Sequence, residues 1–266
     1  MACLDQQITQ IEVVMKETKE WFATWFDTDE YHTLYGHRDS KEADDFVNRL
    51  IEEFGLTPCK VLDAGCGAGR HVHSWASKGF DATGFDLSLN SINLARAKSV
   101  ELNVPNIQFE VLDLRHLHIT NKWESEFNIV TNLFTSFGYF PVESDHMDVA
   151  RGFSFTLKEG GMLVLDYINH KYSEKRLVPS EVQIKNDITF NIKREIKDGF
   201  FTKSITYNLP GEKAQTHTEL VKAWSPDGLT KLLSSVGLQV KSIFGDYNLN
   251  EYHEDSPRMI LIAEKK

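Results

Sequence analysis

The stretch that most constrains the fold is residues 61–88, VLDAGCGAGRHVHSWASKGFDATGFDLS. An apolar strand pattern ends at Asp63 and runs into a glycine-rich loop. In that loop, Gly65 and Gly67 let the backbone turn sharply and approach a ligand without Cβ atoms in the way. A helix pattern follows, and a second strand pattern ends at Asp86. This strand-loop-helix-strand unit predicts a parallel sheet and a nucleoside-type ligand.

Strand and helix patterns continue to alternate as far as residue 168. The predicted elements are a helix through Val72, Trp75 and Ala76, a strand at 81–86, a helix from Ser88 to about Leu102, strands at 107–111, 128–134 and 160–168, and a helix at about 143–157. Ser225 and Pro226 then begin a helix that Gly237 ends, and LQVKSIF and RMILIAE close the sheet as a hairpin. The alternation predicts a Rossmann-like, doubly wound α/β sheet of seven strands with helices on both faces.

Two segments depart from this alternation. Between about 171 and 223 the apolar residues recur with a period of two, and Lys197, Asp198 and Gly199 supply a turn between two long strands. We expect a small antiparallel β subdomain there, inserted between the two parts of the main domain. Residues 8–35 carry aromatic pairs at helical spacing, which predicts an N-terminal helical arm.

The predicted organisation therefore has three parts. These are an arm or lid at 1–40, a main domain at 41–170 and 224–266, and an inserted subdomain at 171–223. We expect the arm to fold over the ligand of the glycine loop, since its aromatic residues need a surface to cover.

Charge and composition narrow the classes of partner. The formal net charge of −10 opposes the basic field that nucleic-acid binding requires, so nucleic acid is disfavoured. No apolar run approaches the roughly 20 residues that span a bilayer, and the N-terminus lacks the apolar stretch of a signal peptide. We expect a cytoplasmic protein with no membrane partner. Cys3, Cys59 and Cys66 lack metal-binding spacing, so no metal is expected.

The spacing of the glycines separates two kinds of cofactor. A dinucleotide fingerprint reads G-x-G-x-x-G and places a pyrophosphate at a helix N-terminus, whereas this loop reads G-x-G-x-G and follows an acid. Asp63 would repel a diphosphate and suits a cationic ligand. Asp86, 21 residues after Gly65, stands near the spacing at which a carboxylate accepts hydrogen bonds from ribose hydroxyls.

The same residues resemble the class I S-adenosylmethionine-dependent methyltransferases, over most of the chain. LDAGCGAG matches the first-strand acid and glycine loop of that family, Asp86 in GFDLS matches its ribose-binding acid, and Asp113 in VLDLRHL matches the acid that contacts adenine. The resemblance implies S-adenosylmethionine as cofactor. It assigns these residues to the cofactor site: Asp63, Ala64, Gly65, Cys66, Gly67, Asp86, Leu87, Asp113, Leu114 and Leu133.

Other segments are similar to a subgroup that acts on small molecules and carries an antiparallel insertion after strand five. NLFTSFGYF resembles its fourth-strand segment, YHTLYGHRDSKEA its N-terminal arm, and FGDYNLNEYHEDSPRMILIAEK its ending. In the arm, Tyr31, Tyr35, His37 and Arg38 are candidates to hold the methionine carboxylate, because a carboxylate needs an arginine fork or hydroxyl donors. The alternative is a packed aromatic helix with a surface arginine.

The resemblance implies methyl transfer to an N, O or C nucleophile of a small molecule. The Asn-Pro-Pro-Tyr type of motif that is associated with planar amines in nucleic acids is missing, since Leu133 and Phe134 follow Asn132. The alternatives are a tRNA or protein methyltransferase and a cofactor-binding subunit without turnover.

We expect the substrate pocket between residues 134–139 and the inserted strands, with Tyr139, Tyr167 and Arg194 as catalytic candidates. Arg194 is a cation on an otherwise apolar strand face, where a charge without a partner would be costly. Its partner is either a protein acid such as Glu219 or a carboxylate or phosphate of an anionic substrate.

Overall fold

The computed structural model describes residues 21–36 and 40–266 of the chain. Its central sheet consists of β1 (Lys60–Ala64), β2 (Asp81–Asp86), β3 (Ile107–Val111), β4 (Phe127–Asn132), β5 (Leu157–Ile168), β10 (Leu238–Phe244) and β11 (Arg258–Lys265). The strand order is β10-β11-β5-β4-β1-β2-β3. Strands β1 to β5 are parallel, and β11 pairs antiparallel with both β5 and β10. The predicted Rossmann-like, doubly wound sheet and its closing hairpin are confirmed.

Helices cover both faces of this sheet. The helices of the described residues are α1 (Trp21–Trp25), α2 (Asp29–Tyr35), α3 (Ser40–Phe54), α4 (Arg70–Ser77), α5 (Leu89–Leu102), α6 (Glu143–Thr156), α7 (His170–Lys175) and α8 (Pro226–Ser235), with a 3-10 turn at Leu114–His116. Apolar side chains of α3, α4 and α5 form one buried core, and those of α1, α2, α6 and α8 belong to the other. None of these helices is long and apolar enough to span a bilayer.

Capping side chains begin two helices where the sequence predicts them. The Ser88 hydroxyl accepts a hydrogen bond of 3.0 Å from the Ser91 amide at the start of α5. The Ser225 hydroxyl accepts one of 3.1 Å from the Gly228 amide, and Pro226 is the first residue of α8.

The inserted segment forms a separate antiparallel sheet, with two strands more than the two that the pattern indicates. Its strands, in spatial order, are β6 (Ser180–Lys185), β7 (Ile188–Lys197), β8 (Phe200–Tyr207) and β9 (Gln215–Lys222). Asp198 and Gly199 have φ angles of +52° and +78° and form the predicted turn between β7 and β8. The end of β9 meets the main domain, where the Lys222 amide donates to the Gly138 carbonyl at 2.9 Å.

The described part of the arm consists of two short helices rather than the single helix that the aromatic spacing indicates. The hydroxyl of Thr28 accepts a 3.1 Å hydrogen bond from the Tyr31 amide and so begins α2 as a new helix. Trp25 and Leu34 are buried in the core. The arm is therefore packed into the main domain, and the part of its predicted helix before residue 21 lies outside the described residues.

Candidate active site

A cavity of about 480 Å³ lies at the carboxyl ends of β1, β2 and β4, and the arm forms part of its wall. This edge of a parallel sheet is where α/β proteins bind ligands. The sequence-predicted residues that line the cavity are Tyr31, Tyr35, Asp63, Gly65, Cys66, Gly67, Asp86, Leu87, Asp113, Leu114, Leu133 and Tyr139. Most of the predicted cofactor residues and one predicted catalytic residue therefore face one space.

The glycine loop forms the floor of this cavity. The amides of Gly65 and Cys66 both donate to the Phe85 carbonyl, each at 2.9 Å, which ties the loop to β2. Gly65 has a φ of +76°, and a Cβ there would lie 2.8 Å from Cβ of Ser136. Gly67 has a φ of +54°, and a Cβ there would meet no atom within 4 Å. The missing side chain at Gly67 therefore leaves open space for a ligand at the backbone.

Asp86, at the end of β2, is held by two backbone amides. Its Oδ2 accepts from the Gly67 amide at 2.8 Å, and its Oδ1 accepts from the Ser88 amide at 2.9 Å. Burial raises the pKa of its carboxyl, although these hydrogen bonds oppose the rise. Each carboxylate oxygen keeps a second lone pair, so Asp86 is fixed in place and can still accept hydroxyl donors.

Asp63, at the end of β1, is only 2% exposed. Its Oδ1 accepts from the Thr131 hydroxyl at 2.6 Å, whereas its buried Oδ2 has no hydrogen-bond partner among the described residues. Burial raises the pKa of this carboxyl to about 7. A buried carboxylate oxygen without a donor fits a cationic ligand group, which would satisfy both the charge and the hydrogen bond.

Asp113 lies after β3, at the start of the 3-10 turn, and lines the cavity. Its carboxylate pairs with the Arg115 guanidinium, with 2.5 Å between Nη2 and Oδ2. Burial alone would raise the pKa of Asp113, but the hydrogen bonds from Arg115 outweigh it and lower the pKa. Leu87 and Leu114 are half-buried in the same wall. The pair of leucines and the ionised carboxylate can hold a flat ring with a donor at its edge.

Comparisons with known proteins agree with this geometry. A family model described as a methyltransferase domain matches residues 61–161. A protein of Geobacillus sp. (strain WCH70) described as a methyltransferase is 27% identical over 93% of this chain and 100% of its own length. The chain is a class I S-adenosylmethionine-dependent methyltransferase. The glycine/sarcosine N-methyltransferase of Aphanothece halophytica is 26% identical over 86% of this methyltransferase and 84% of its own length.

Two solved methyltransferase structures have a fold similar to that of this chain. An S-adenosylmethionine-dependent methyltransferase from Clostridium acetobutylicum aligns with a TM-score of 0.73 and 18% identity, covering 88% of this chain and 95% of the other. CalS10, an amino pentose methyltransferase from Micromonospora echinaspora, was solved with its cofactor bound; it aligns with a TM-score of 0.66 and 17% identity, covering 90% and 98%.

The cavity of the methyltransferase fits S-adenosylmethionine. The ribose hydroxyls of a bound cofactor would need an acceptor such as the carboxylate of Asp86, and its ammonium would need a carboxylate such as that of Asp63. Its adenine suits the apolar walls of Leu87 and Leu114, with Asp113 as acceptor at the ring edge. Asp63 is the strongest of these indications, because its buried Oδ2 is left without a donor among the described residues.

One predicted cofactor residue within the described part of the chain, Ala64, does not line the cavity. Ala64 is fully buried behind the loop, and its carbonyl accepts from Nδ2 of Asn132 at 2.6 Å. Ala64 therefore contributes to the shape of the loop and not to the cavity surface. Arg38, together with His37, lies outside the described residues, so the predicted clamp on the methionine carboxylate is represented by Tyr31 and Tyr35, which do line the cavity.

The structure does not bring the three catalytic candidates together. Tyr139 lines the cofactor cavity, whereas Tyr167 is fully buried and its hydroxyl donates to the Lys222 carbonyl at 2.6 Å. Burial also raises the pKa of Tyr167 well above its ordinary value. Arg194 lines a second cavity of about 450 Å³ and pairs with Glu181 at 2.5 Å. The three side chains therefore do not share the expected pocket, because Tyr139 and Arg194 line different cavities and Tyr167 is buried.

Glu219, the expected protein partner of Arg194, has another role. Its Oε1 accepts from the indole nitrogen of Trp25 at 2.8 Å and from the Tyr35 hydroxyl at 2.7 Å, and Lys203 lies within 3.8 Å of its other oxygen. Glu219 thus joins the arm to the inserted sheet. Trp25 and Tyr35 carry this junction, and Tyr35 also lines the cofactor cavity.

Sequence reasoning missed several residues of the cavity wall, among them Phe134 and Ser136. Both belong to NLFTSFGYF, from which only Leu133 and Tyr139 were assigned to the site. It also missed Asp166, a fully buried acid that pairs with Arg258 at 2.7 Å behind this wall. An acid inside the apolar strand GGMLVLDYI and an arginine at the start of RMILIAE were the available signals.

Proposed function

We propose that this methyltransferase acts on a nucleophilic atom, N, O or C, of a small molecule. The observation that carries the proposal is the cavity of about 480 Å³ whose wall includes Phe22, Phe26 and Tyr31 of the arm. Sites of roughly 300–1,000 Å³ accept small molecules, and this volume must hold both the cofactor and the acceptor. A folded nucleic acid or protein needs a more open surface, and the net charge of −10 further disfavours nucleic acid.

A nitrogen acceptor is the form of this proposal that has the most support. Phe26, Tyr31 and Tyr139 pack with ring centroids 4.9 to 5.2 Å apart at the cavity wall, and aromatic faces stabilise a nitrogen that gains positive charge. The similar Aphanothece halophytica protein is a glycine/sarcosine N-methyltransferase. KedS8 from Streptoalloteichus, which has a similar fold with a TM-score of 0.68, is a sugar N-methyltransferase.

The proposed mechanism needs few protein groups. When bound, the cofactor supplies a methyl group on a sulfonium, which is already activated for transfer. Asp63, which precedes the glycine loop, and Asp86, which is bound to the Gly67 amide, would hold the cofactor. The aromatic wall excludes water and orients the acceptor. A neutral amine attacks without prior deprotonation, whereas a phenol or carbon acceptor needs a base. We propose that Tyr139 places its hydroxyl near the accepting atom.

The test is methyl transfer by the whole protein to a panel of small amines, phenols and carboxylates, with tRNA and an unfolded protein as competing acceptor classes. We expect S-adenosylhomocysteine to form with small amines. Tyr139→Phe should lower kcat/KM for the accepted amine, and Tyr172→Phe, in the second cavity, is the matched control. Turnover with tRNA or protein alone would refute the proposal.

A further inference from the structure

At the cavity wall, Phe134 and its neighbour Thr135 have a backbone conformation that side chains disfavour. Phe134 and Thr135 have φ angles of +62° and +65°. In a residue with a Cβ, and above all in a β-branched threonine, this left-handed region carries a conformational cost. Such a pair persists only where neighbouring groups hold it in place.

The holding groups converge on Asp166, which is fully buried in β5. Its Oδ2 accepts from the Phe134 amide at 2.8 Å, and its backbone carbonyl accepts from the Thr135 amide at 3.1 Å. Arg258, at the start of β11, donates from Nε to Oδ1 of Asp166 at 2.7 Å and from Nη2 to the Thr135 hydroxyl at 2.7 Å. The two amides and the hydroxyl of this turn are therefore all bound by Asp166 and Arg258.

Tyr247 completes the group, which we call the Asp166 cluster: Asp166, Arg258 and Tyr247. The Tyr247 hydroxyl donates to Oδ2 of Asp166 at 2.9 Å. A buried ion pair adds little net stability, because desolvation offsets much of the attraction between its charges. What such a cluster does provide is a fixed geometry, since its directional hydrogen bonds allow one arrangement.

The turn that the cluster holds lies against the glycine loop. Leu133, Phe134 and Ser136 line the cavity, and the Ser136 hydroxyl donates to the Gly65 carbonyl at 3.2 Å. The guanidinium of Arg70 lies 4.7 Å from the centre of the Phe134 ring. The wall formed by residues 133–136 thus borders the end of the cavity where Asp63 lies.

We propose that the Asp166 cluster is a set of positioning residues for methyl transfer. By holding Phe134 and Thr135 in the left-handed conformation, it sets residues 133–136 at the distance from the glycine loop that aligns the acceptor with the methyl group. The proposal rests on the proposed function, because the wall must face an acceptor in this cavity. The hydrogen bonds of the cluster go to Phe134 and Thr135 rather than to the glycine loop, so its loss should affect kcat far more than cofactor affinity.

The experiment compares Asp166→Asn and the milder Tyr247→Phe with Asn169→Ala in the whole protein. Asn169 is also fully buried at the end of β5, but its amide nitrogen donates to the carbonyls of Glu254 and Ser256, away from the turn. We expect the cluster variants to lower kcat about 10- to 100-fold, as a displaced wall would, with the cofactor Kd changed less than about twofold. Amide exchange at Phe134 and Thr135 should become faster in these variants and not in Asn169→Ala.

A rescue separates positioning from general stability. Glycine adopts positive φ without steric cost, so adding Thr135→Gly to Tyr247→Phe should restore much of the lost kcat. Unchanged amide exchange at Phe134 and Thr135, or a fall in kcat that matches Asn169→Ala and resists this rescue, would overturn the proposal. Amide exchange needs no acceptor, so it tests the cluster even if no small molecule is methylated, an outcome that would refute the proposed function alone.

Discussion

At the scale of single residues, we expect the affinity for S-adenosylmethionine to depend most on Asp86. Its carboxylate is the acceptor at the end of β2 that both the glycine loop and α5 hold in place. Asp86→Ala should weaken S-adenosylmethionine binding by about 1–3 kcal/mol, measured by calorimetry. Asp81→Ala, at the other end of the same strand, is the control and should bind normally. Equal affinities of Asp86→Ala and the wild type would refute the assignment, and tight NAD binding would favour a dinucleotide site.

We expect Asp63 to make cofactor affinity depend on pH. Burial raises the pKa of its carboxyl from the ordinary 3.8 to about 7, so between these values the folded protein carries a proton that the unfolded chain has lost. The contribution of Asp63 to stability is therefore full below pH 3.8 and falls as the pH rises towards 7. A cationic ligand favours the carboxylate, so binding should release a proton below pH 7.

This linkage fixes the expected pH profile of binding. Affinity for S-adenosylmethionine should rise from about pH 5 to pH 7, by up to about tenfold per pH unit, and then level off. Calorimetry in buffers of different ionisation enthalpy measures both the affinity and the released proton. Asp63→Asn should bind more weakly and lose this part of the pH dependence; a variant with the wild-type profile would assign the titration to another group.

At the scale of elements, the arm forms part of the cavity wall and part of the buried core. Phe22 and Trp25 of α1 are 4% and 0% exposed, and Leu34 of α2 is 2% exposed. Removing one large buried side chain costs about 2–5 kcal/mol, so deleting residues 1–36 should lower the melting temperature sharply as well as abolish turnover. Thermal unfolding checks this. A truncated protein that melts within a few degrees of the wild type would show that the arm contributes little to the core and serves as a lid alone.

The inserted sheet shows where sequence patterns succeed and fail. The turn at Asp198 and Gly199 was predictable, because its two positive φ angles favour these residue types. Strand β6 was not, since its pattern is inverted: Val182 and Ile184 are 62% and 68% exposed, whereas Glu181 faces inward to Arg194. The apolar period assumes that the apolar residues of a strand face the interior, and in β6 polar side chains take the inward positions instead.

The partner of Arg194 was likewise beyond the sequence. Glu219 and Trp25, which are 194 positions apart in the sequence, are joined by a hydrogen bond. Because Glu219 is engaged there, Glu181 is the acid that pairs with Arg194. With Glu181 as its partner and both side chains partly exposed, Arg194→Met should cost no more than about 1 kcal/mol of stability. It should leave acceptor KM unchanged in steady-state assays. A raised KM with an unchanged melting temperature would instead return Arg194 to the substrate site.

At the scale of the whole molecule, the sheet of the main domain was largely predictable from the sequence, whereas the cavity wall formed by residues 133–136 was not. The local spacing of Asp63 and Asp86, each near the end of a strand pattern, is enough to predict the ligand-binding edge of the sheet and the cofactor. The wall of residues 133–136 depends on Asp166 and Arg258, which belong to β5 and β11 and meet only when β11 inserts beside β5. Contacts of this kind follow from strand order, which a local pattern does not contain.

The net charge of −10 should also act on the cofactor before it binds. S-adenosylmethionine carries one net positive charge, from its sulfonium and ammonium against its carboxylate, whereas S-adenosylhomocysteine lacks the sulfonium charge and is neutral overall. A negative protein field attracts the first and not the second, and salt screens it over a length of about 10 Å at 0.1 M. In stopped-flow measurements, the association rate of S-adenosylmethionine should therefore fall about three- to tenfold between low and high salt, while that of S-adenosylhomocysteine stays nearly constant.

Because both ligands use the same ribose and adenine contacts, S-adenosylhomocysteine is the matched control for every effect of salt on the protein itself. If the two rates fall in parallel, the dependence comes from a change in the protein, and the overall charge has no part in capturing the cofactor.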